Sequence, residues 1–365
     1  MNQNQVLRFM KRVLTLAARG TGTTHPNPMV GAVVVKDGRI VGEGWHRKPG
    51  EAHAETLALT EAGSAARGGT LFVNLEPCDH TGRTGPCTKA IIEAGILRVF
   101  AACRDPHPLV NGKGFQTLLQ AGIDVNIGPM EQQAEELNRA FLYYSREGNP
   151  YITLKLASTL DGRIAAPDGN SKWITGGKAR GAVHRLRGQV DAILVGVGTI
   201  LADDPTLTAR GVDRKLQPLR IVLDPDLKTP LDSTVVKENS GGSTLLVISD
   251  VVRADRCKPY ETRGVGLIRQ ATVGGFFTWK GLAGPLIEMG VLHVLVEGGG
   301  KTAGWILREN AANRIELFLA PRIIGSSGVA VVGDVGVKFL KDALPLSFSR
   351  IRRLGEDIQI TADIK

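Results

Sequence analysis

Apolar positions in the first 150 residues switch repeatedly between two periods. Val6, Met10, Val13, Leu14 and Ala17 recur at helical spacing, which predicts an amphipathic helix through the first 20 residues. Two short apolar runs follow, residues 30–35 and 40–45, separated by Lys36-Asp37-Gly38-Arg39. An Asp-Gly pair between such runs predicts a β-hairpin. Beyond it the pattern predicts helix over 52–62, a buried strand at 70–75, helix over 88–94, strand at 98–102, helix over 112–121, a short strand at 124–127 and a long helix over 131–146. Strands alternating with helices imply a layered α/β sheet.

Glu147-Gly148-Asn149-Pro150 stops the last helix, since Gly, Asn and Pro in succession cannot continue one. Two domains are expected, 1–148 and 149–365, and 365 residues are enough for each to bury its own core. The second restarts with a strand at 151–156. Further apolar runs at 192–195, 219–223, 244–248, 291–296 and 315–319 alternate with helical stretches such as 177–187 and 302–308, giving a second α/β domain.

Composition narrows the classes of function. No apolar run reaches the roughly 18 residues of a membrane span, and Lys11 and Arg12 interrupt the first helix where a secretory segment would be apolar. A cytoplasmic protein with no membrane partner is expected. The formal charge is +9, and its distribution is uneven: residues 1–149 carry 16 Lys and Arg against 14 Asp and Glu, the remainder 29 against 22. No basic run or Lys/Arg-rich helix accompanies that excess, so a small phosphorylated ligand is expected rather than nucleic acid.

Four cysteines stand at 78, 87, 103 and 257. Two of them join a pattern with chemistry. His53-Ala54-Glu55 opens a predicted helix, Glu76-Pro77-Cys78 ends a predicted strand, and Cys87 follows just before a helix start. Imidazole and thiolates suit zinc, and a catalytic zinc keeps three protein ligands and one water. His53, Cys78 and Cys87 supply three, for one zinc per chain. Glu55, two residues from the histidine, can then stand beside the water as the catalytic proton carrier. Partial positive charge at the helix start favours the Cys87 thiolate. A structural site with His80 as fourth ligand is the competing arrangement, but it has no use for Glu55. Cys103 and Cys257 lie outside the pattern and read as packing residues.

His-x-Glu with Pro-Cys is the signature shared by zinc nucleobase deaminases, a class that usually has two residues between its cysteines. Here there are eight, Asp79 to Pro86. With that spacer the chain resembles the bifunctional riboflavin-biosynthesis deaminase–reductases over essentially its whole length. His25-Pro26-Asn27-Pro28, Val30-Gly31-Ala32-Val33, Gly44-Trp45-His46 and Gly82-Arg83-Thr84 carry the resemblance in the first half. Lys155-Leu156-Ala157-Ser158-Thr159-Leu160-Asp161-Gly162, Trp173-Ile174-Thr175, Gly198-Thr199, Leu201-Ala202-Asp203-Asp204-Pro205 and Val296-Glu297-Gly298-Gly299 carry it in the second.

The resemblance implies a cytidine-deaminase-like three-layer domain followed by a dihydrofolate-reductase-like domain. It implies hydrolytic deamination of a diaminopyrimidinone ribosylamine 5′-phosphate, then NADPH-dependent reduction of its ribosyl to a ribityl chain, by a homodimer or tetramer. Asn27, His46, His80, Arg83 and Asp105 then match substrate contacts of the deaminase. Ala157, Trp173, Thr199 and Asp203 match contacts to the nicotinamide cofactor, while Ser171, Arg187, Leu207 and Arg210 match contacts to the reductase substrate, and Lys155, Asp203 and Glu297 are the polar residues expected nearest its ribose. Two positions depart from the family pattern: His107 stands where an asparagine is usual, and Gly85 where a proline is.

The residues of the second half support part of this directly. Glu297 ends a strand, Gly298-Gly299-Gly300 turns, and Lys301 and Thr302 open a helix. Bare backbone at a helix N-terminus suits a cofactor diphosphate, yet the turn is not Gly-x-Gly-x-x-Gly after a first strand, so a Rossmann domain is not indicated. Arg187 and Arg210 suit a phosphate, which guanidinium binds with two parallel hydrogen bonds. The alternatives are a zinc nucleobase or tRNA deaminase carrying a non-catalytic second domain, which the long spacer and the second-half motifs oppose, and a zinc-stabilised nucleic-acid-binding protein, which the lack of concentrated basic and aromatic surface opposes.

Overall fold

The computed structural model describes residues 1–80, 85–212, 216–237 and 242–365. The chain divides into two compact units, Met1–Asn149 and Pro150–Lys365. The first contains strands β1 (Gly31–Lys36), β2 (Arg39–Trp45), β3 (Thr70–Leu75), β4 (Arg98–Cys103) and β5 (Asp124–Ile127), and helices α1 (Gln3–Ala17), α2 (Ala54–Ala62), α3 (Cys87–Glu93), α4 (Lys113–Gln120) and α5 (Glu131–Glu147). The sheet order is β2-β1-β3-β4-β5, antiparallel through the hairpin and its neighbour β3, then parallel.

Side-chain alternation in β1 builds both faces of this sheet. Ala32 and Val34 join Ala54, Ala58, Leu71, Val73, Ile91 and Leu118 on the face covered by α2, α3 and α4. Val33 and Val35 join Phe9, Met10, Val13, Phe72, Ala134 and Phe141 under α1 and α5. The result is a three-layer sandwich. Helix α2 begins two residues later than its apolar pattern suggests, because His53 is extended (φ −71°, ψ 159°) and caps it. That helix lies directly on β2 backbone: a Cβ at Gly44 would meet the Ala54 carbonyl oxygen at 2.3 Å, and one at Gly42 the Ala58 carbonyl oxygen at 2.1 Å.

The second unit contains β6 (Tyr151–Thr159), β7 (Arg163–Ala165), α6 (Gly177–Arg187), β8 (Ala192–Gly196), α7 (Val197–Asp203), β9 (Leu219–Leu223), α8 (Thr234–Lys237), β10 (Thr244–Ser249), α9 (Ala254–Glu261), β11 (Gly266–Gln270), α10 (Trp279–Glu288), β12 (His293–Val296), α11 (Gly300–Arg308), β13 (Arg314–Ala320), β14 (Val329–Ala330), β15 (Leu346–Leu354) and β16 (Asp357–Ile364). Nine strands form one sheet in the order β11-β10-β9-β8-β12-β6-β13-β16-β15. Pairing is parallel from β11 to β13 and antiparallel at β16 and β15. One core packs Ile152, Leu154, Leu194 and Val247 against Leu282 and Ile306; the other packs Ile193, Val195, Val222 and Ile248 against Tyr260.

The C-terminal hairpin breaks the usual inside-apolar rule. Glu316 is buried, and its carboxylate accepts from Gln359 Nε2 at 2.6 Å and Thr361 Oγ1 at 3.0 Å. Phe348 and Ile351 are exposed on β15, the last strand of the sheet. Among the described residues no helix is long and apolar enough to cross a membrane.

The close approach of α2 to β2 generates a stability prediction. Gly44→Ala forces the first turn of α2 outward and should cost about 1–3 kcal/mol, read as a lowered midpoint of urea unfolding. Gly85→Ala, where a Cβ meets nothing within 4 Å, should leave the midpoint in place. Equal midpoints for Gly44→Ala and the unaltered chain would mean that the helix rides outward without cost.

Candidate functional site

Three elements start or stop at one point in the first unit. His53 caps α2, Cys78 follows β3, and Cys87 opens α3. Their ligand atoms all lie within 4.8 Å of one another. His53 Nδ1 is 3.2 Å from Cys87 Sγ and 3.5 Å from Cys78 Sγ. Ligands on a tetrahedral zinc with Zn–S of about 2.3 Å and Zn–N of about 2.0 Å would stand roughly 3.6 Å apart. The donor set therefore fits that ion in type and spacing.

The acid–base behaviour of the cluster follows from this crowding. The Cys87 thiol and His53 beside it push Cys78 down to about 4, while the neighbouring Cys78 sulfur and burial push Cys87 up. His53 is raised, chiefly by its contact with Cys78. Glu55, in the first turn of α2, is only 4% exposed, and burial followed by the Cys78 charge pushes its carboxyl up to about 7. A carboxyl poised near neutrality beside a zinc-type donor set can exchange protons in both directions.

The wall of this site is held by buried polar bonds. Asn27 Nδ2 lies 3.0 Å from His46 Nε2, His46 Nδ1 lies 3.3 Å from the Ala52 carbonyl oxygen, and the His46 ring meets the His53 ring edge-on at 5.5 Å. Burial lowers the His46 pKa. Asp105 is buried, which raises it to about 6, and it accepts the His107 backbone N–H at 2.8 Å. His107 is lowered by burial and then by His80, so these two imidazoles are electrostatic neighbours. His80 is exposed, and Arg83 lies outside the described residues. Cys103, buried away from this cluster, is pushed up to about 12 by burial and donates to the Asn74 carbonyl oxygen.

Two acidic residues emerge here that spacing alone does not single out. Glu76 accepts backbone N–H groups from Gly112 and Gly114, both at 3.0 Å, and from Asp105 and Phe115, both at 3.4 Å. It fixes the loop that carries Asp105 and the start of α4. Asp79 accepts Thr88 Oγ1 at 2.5 Å and Thr117 Oγ1 at 2.8 Å, tying the inter-cysteine segment to α3 and α4. Glu-Pro-Cys and the unusual spacer were the available signals for both.

In the second unit Thr199, Asp203 and the glycine turn follow the carboxyl ends of the neighbouring strands β8 and β12, while Lys155 and Ala157 lie within β6 on the other side of β12. Helix α7 leaves β8 and carries Thr199 and an exposed Asp203, which pairs with Lys172 at 3.3 Å. The glycine turn leaves β12 and enters α11, whose cap is Gly299. The glycines are not equivalent. A Cβ on Gly298 would meet Thr302 Cβ at 2.2 Å, and one on Gly300 the Ala330 carbonyl oxygen at 2.5 Å. At Gly299 the nearest atom is Ile164 Cδ1 at 3.7 Å. Open backbone at the start of a nine-residue helix, with Lys301 exposed beside it, is a cradle that fits a diphosphate.

Beside it Arg187 grips Glu297 with two bonds, 2.7 and 3.0 Å, and donates to the Thr208 carbonyl oxygen at 3.1 Å. Burial lowers the pKa of Lys155, against the attraction of the nearby Glu297. The expected two-bond grip of Arg187 on a phosphate is thus spent on a carboxylate that is only 6% exposed. Arg210 remains exposed. Leu207 has a left-handed φ of 50° and packs its side chain into the core, so it offers a ligand only backbone. Trp173 is 63% exposed, with the Arg180 guanidinium over its ring at 4.6 Å. Ala157 lies half-buried in β6, and Ser171 in the segment before α6.

Comparison with known proteins matches both halves. Residues 3–103 match the cytidine and deoxycytidylate deaminase zinc-binding region, and residues 150–360 match the RibD C-terminal domain. The chain is 45% identical to the riboflavin biosynthesis protein RibD of Aquifex aeolicus, covering 96% of each. It is 41% identical to that of Escherichia coli, covering 96% of this chain and 97% of the relative. Among solved structures, Acinetobacter baumannii RibD superposes with a TM-score of 0.88 at 35% identity, covering all of both chains. A Thermotoga maritima diaminohydroxyphosphoribosylaminopyrimidine deaminase/5-amino-6-(5-phosphoribosylamino)uracil reductase superposes with a TM-score of 0.86 at 34% identity, covering 99% of each. With both halves matched in order and such identity over nearly full length, the chain belongs to the RibD family of riboflavin biosynthesis, in which a zinc-binding deaminase domain is joined to a reductase domain.

Proposed function

We propose that the first unit deaminates 2,5-diamino-6-ribosylamino-4(3H)-pyrimidinone 5′-phosphate and that the second reduces the product's ribosyl group to ribityl with NADPH. The observation that carries the first step is a buried Glu55 beside three converging ligand atoms. His53, Cys78 and Cys87 would hold one zinc, which when bound supplies a water of lowered pKa. Glu55 accepts the proton of the attacking water and delivers it to the ring's amino nitrogen. A C–O bond forms, the C–N bond breaks, and ammonia leaves. Asn27 and His46 hold one side of the pyrimidine and Asp105 the other, with the exposed His80 at the entrance; Arg83, outside the described residues, is a further substrate contact that the family motif supplies. His107, in place of the usual asparagine, presents an imidazole on that same wall.

In the second unit Gly299, Gly300, Lys301 and Thr302 would hold the cofactor diphosphate, with Gly298 shaping the turn and Ala157, Trp173, Thr199 and Asp203 along the rest of the cofactor. NADPH supplies the hydride chemistry. Lys155 and Glu297 face the substrate ribose, and Ser171 and the Leu207 backbone flank it. The paired Arg187 orients Glu297, so the phosphate falls to Arg210. The nearest competing reading, a deaminase with a non-catalytic second domain, is disfavoured by the match of residues 150–360 to the RibD C-terminal domain.

Three expectations test these roles. Following ammonia release and NADPH oxidation together, Glu55→Gln should lose ammonia release by about 10²–10⁴-fold. Zinc should stay bound, and reduction of supplied deaminated intermediate should be untouched; retained ammonia release would remove Glu55 from proton transfer. Gly299→Ala should raise the KM for NADPH without shifting the unfolding midpoint, whereas Gly298→Ala should lower that midpoint, and an unchanged KM in Gly299→Ala would place the diphosphate elsewhere. Arg210→Ala should raise the reductase KM for substrate more than it lowers kcat. Arg187→Ala should instead destabilise the chain by about 3–5 kcal/mol, because it strands Glu297; the reverse pattern would return the phosphate to Arg187.

A further inference from the structure

Helix α5 contains a residue whose position its own helix does not explain. Asn138 is 2% exposed, and its backbone leaves the helical region (φ −102°, ψ 17°) in the middle of a 17-residue helix. Asparagine is a weak helix former, and a buried amide is costly unless its hydrogen bonds are made. Both are made to the backbone of a single residue 109 positions earlier. Asn138 Oδ1 accepts the Met29 N–H at 2.8 Å, and Asn138 Nδ2 donates to the Met29 carbonyl oxygen at 2.9 Å. The side chain thus serves Met29 as a neighbouring strand would.

A second buried amide completes the clamp. Asn74 of β3, fully buried, accepts the Gly31 N–H at 2.8 Å and donates to the same Met29 carbonyl oxygen at 2.9 Å. From the opposite direction the Val30 carbonyl oxygen accepts the His46 N–H at 2.8 Å. Residues 29–31 are therefore bonded at each backbone step. Two residues before Met29, Asn27 reaches His46 Nε2, and His46 Nδ1 reaches Ala52, the residue preceding the ligand His53.

We propose that Asn138 is a positioning residue of the deaminase site, setting through Met29 the place of Asn27 against the pyrimidine. The inference rests on the reading of Asn27 as a substrate contact. Asn138 bonds Met29 and lies outside residues 3–103, the segment matching the zinc-binding region. Donor and acceptor are both required, because Met29 presents one of each. Asn138→Asp keeps the acceptor but sets a carboxylate against a carbonyl oxygen.

The test uses the full chain, following ammonia release from the diaminopyrimidinone ribosylamine phosphate. Loss of one buried donor pair predicts that Asn138→Asp raises the deaminase KM about tenfold with kcat within about twofold. Zinc content and the reductase KM stay unchanged. In an Asn27→Ala background the same substitution adds little, because both act on one contact. A merely structural role would instead lower kcat with KM unmoved, or add its full effect in that background, and either result overturns the inference; a lowered unfolding midpoint is expected in both cases, since the buried donor is lost. A KM raised by Asn27→Ala but unmoved by Asn138→Asp also overturns it, leaving Asn27 in place. An unchanged KM in Asn27→Ala itself overturns the assignment of Asn27 and the inference with it. Should Asn138→Asp fail to fold, Asn138→Ser, which opens space without adding charge, is judged by the same criteria.

Discussion

Two thiols, an imidazole and a carboxyl crowded into one buried corner repel or trade protons unless the surrounding backbone holds them there, and in the first unit the holding is done by helix starts. His53 is the cap of α2, Glu55 sits in its first turn, and Cys87 opens α3. The first backbone N–H groups of α3 turn towards Cys78, that of Cys87 to its Sγ at 3.5 Å and that of Thr88 to its carbonyl oxygen at 3.2 Å, so the helix start holds the second thiol as well, and the thiolate-favouring effect expected for Cys87 is outweighed by the Cys78 sulfur and burial. The position of α2 depends in turn on β2 having no side chains at Gly42 and Gly44. Chemistry and packing are therefore one constraint: a strand that is bare at two positions allows the helix to bring a buried carboxyl beside three converging ligand-type atoms.

The second unit solves a comparable problem with strand ends. Parallel strands β8, β12 and β6 deliver their carboxyl ends side by side, and the loops leaving them diverge into α7 and α11. Ligand sites in open α/β sheets form in such crevices. Charge is concentrated there too. Arg187, Glu297 and Lys155 lie within one electrostatic neighbourhood, and the two-bond grip of Arg187 holds Glu297 below the ordinary carboxylate range in spite of its burial. The carboxylate is thereby fixed in direction by two bonds from one guanidinium.

Much of this was legible in the order of residues. The hairpin and the strand and helix succession of the first half are local features, each fixed by spacings of a few residues, while the three ligands, spread over 34 residues, are marked by the short pieces His-x-Glu and Pro-Cys. What was not legible is long-range or inverted. Nothing near Met29 announces Asn138, and nothing near Arg187 announces Glu297, 110 residues away. Leu207 matches a ligand contact, yet its left-handed backbone turns the side chain into the core. The hairpin of β15 and β16 escapes an apolar-inside reading because Gln359 and Thr361 are buried to satisfy Glu316, while apolar neighbours face outward.

That inverted hairpin also determines how the large sheet ends. Strand β15 is an open edge, and an open edge with exposed Phe348 and Ile351 invites another strand to add to it. Its pairing with β16 is irregular between Phe348 and Arg350, and Arg350, Arg352 and Arg353 crowd the same nine residues. An arriving strand would meet a distorted backbone and would have to strip water from guanidinium groups. An edge built in this way disfavours the simple addition of one more strand.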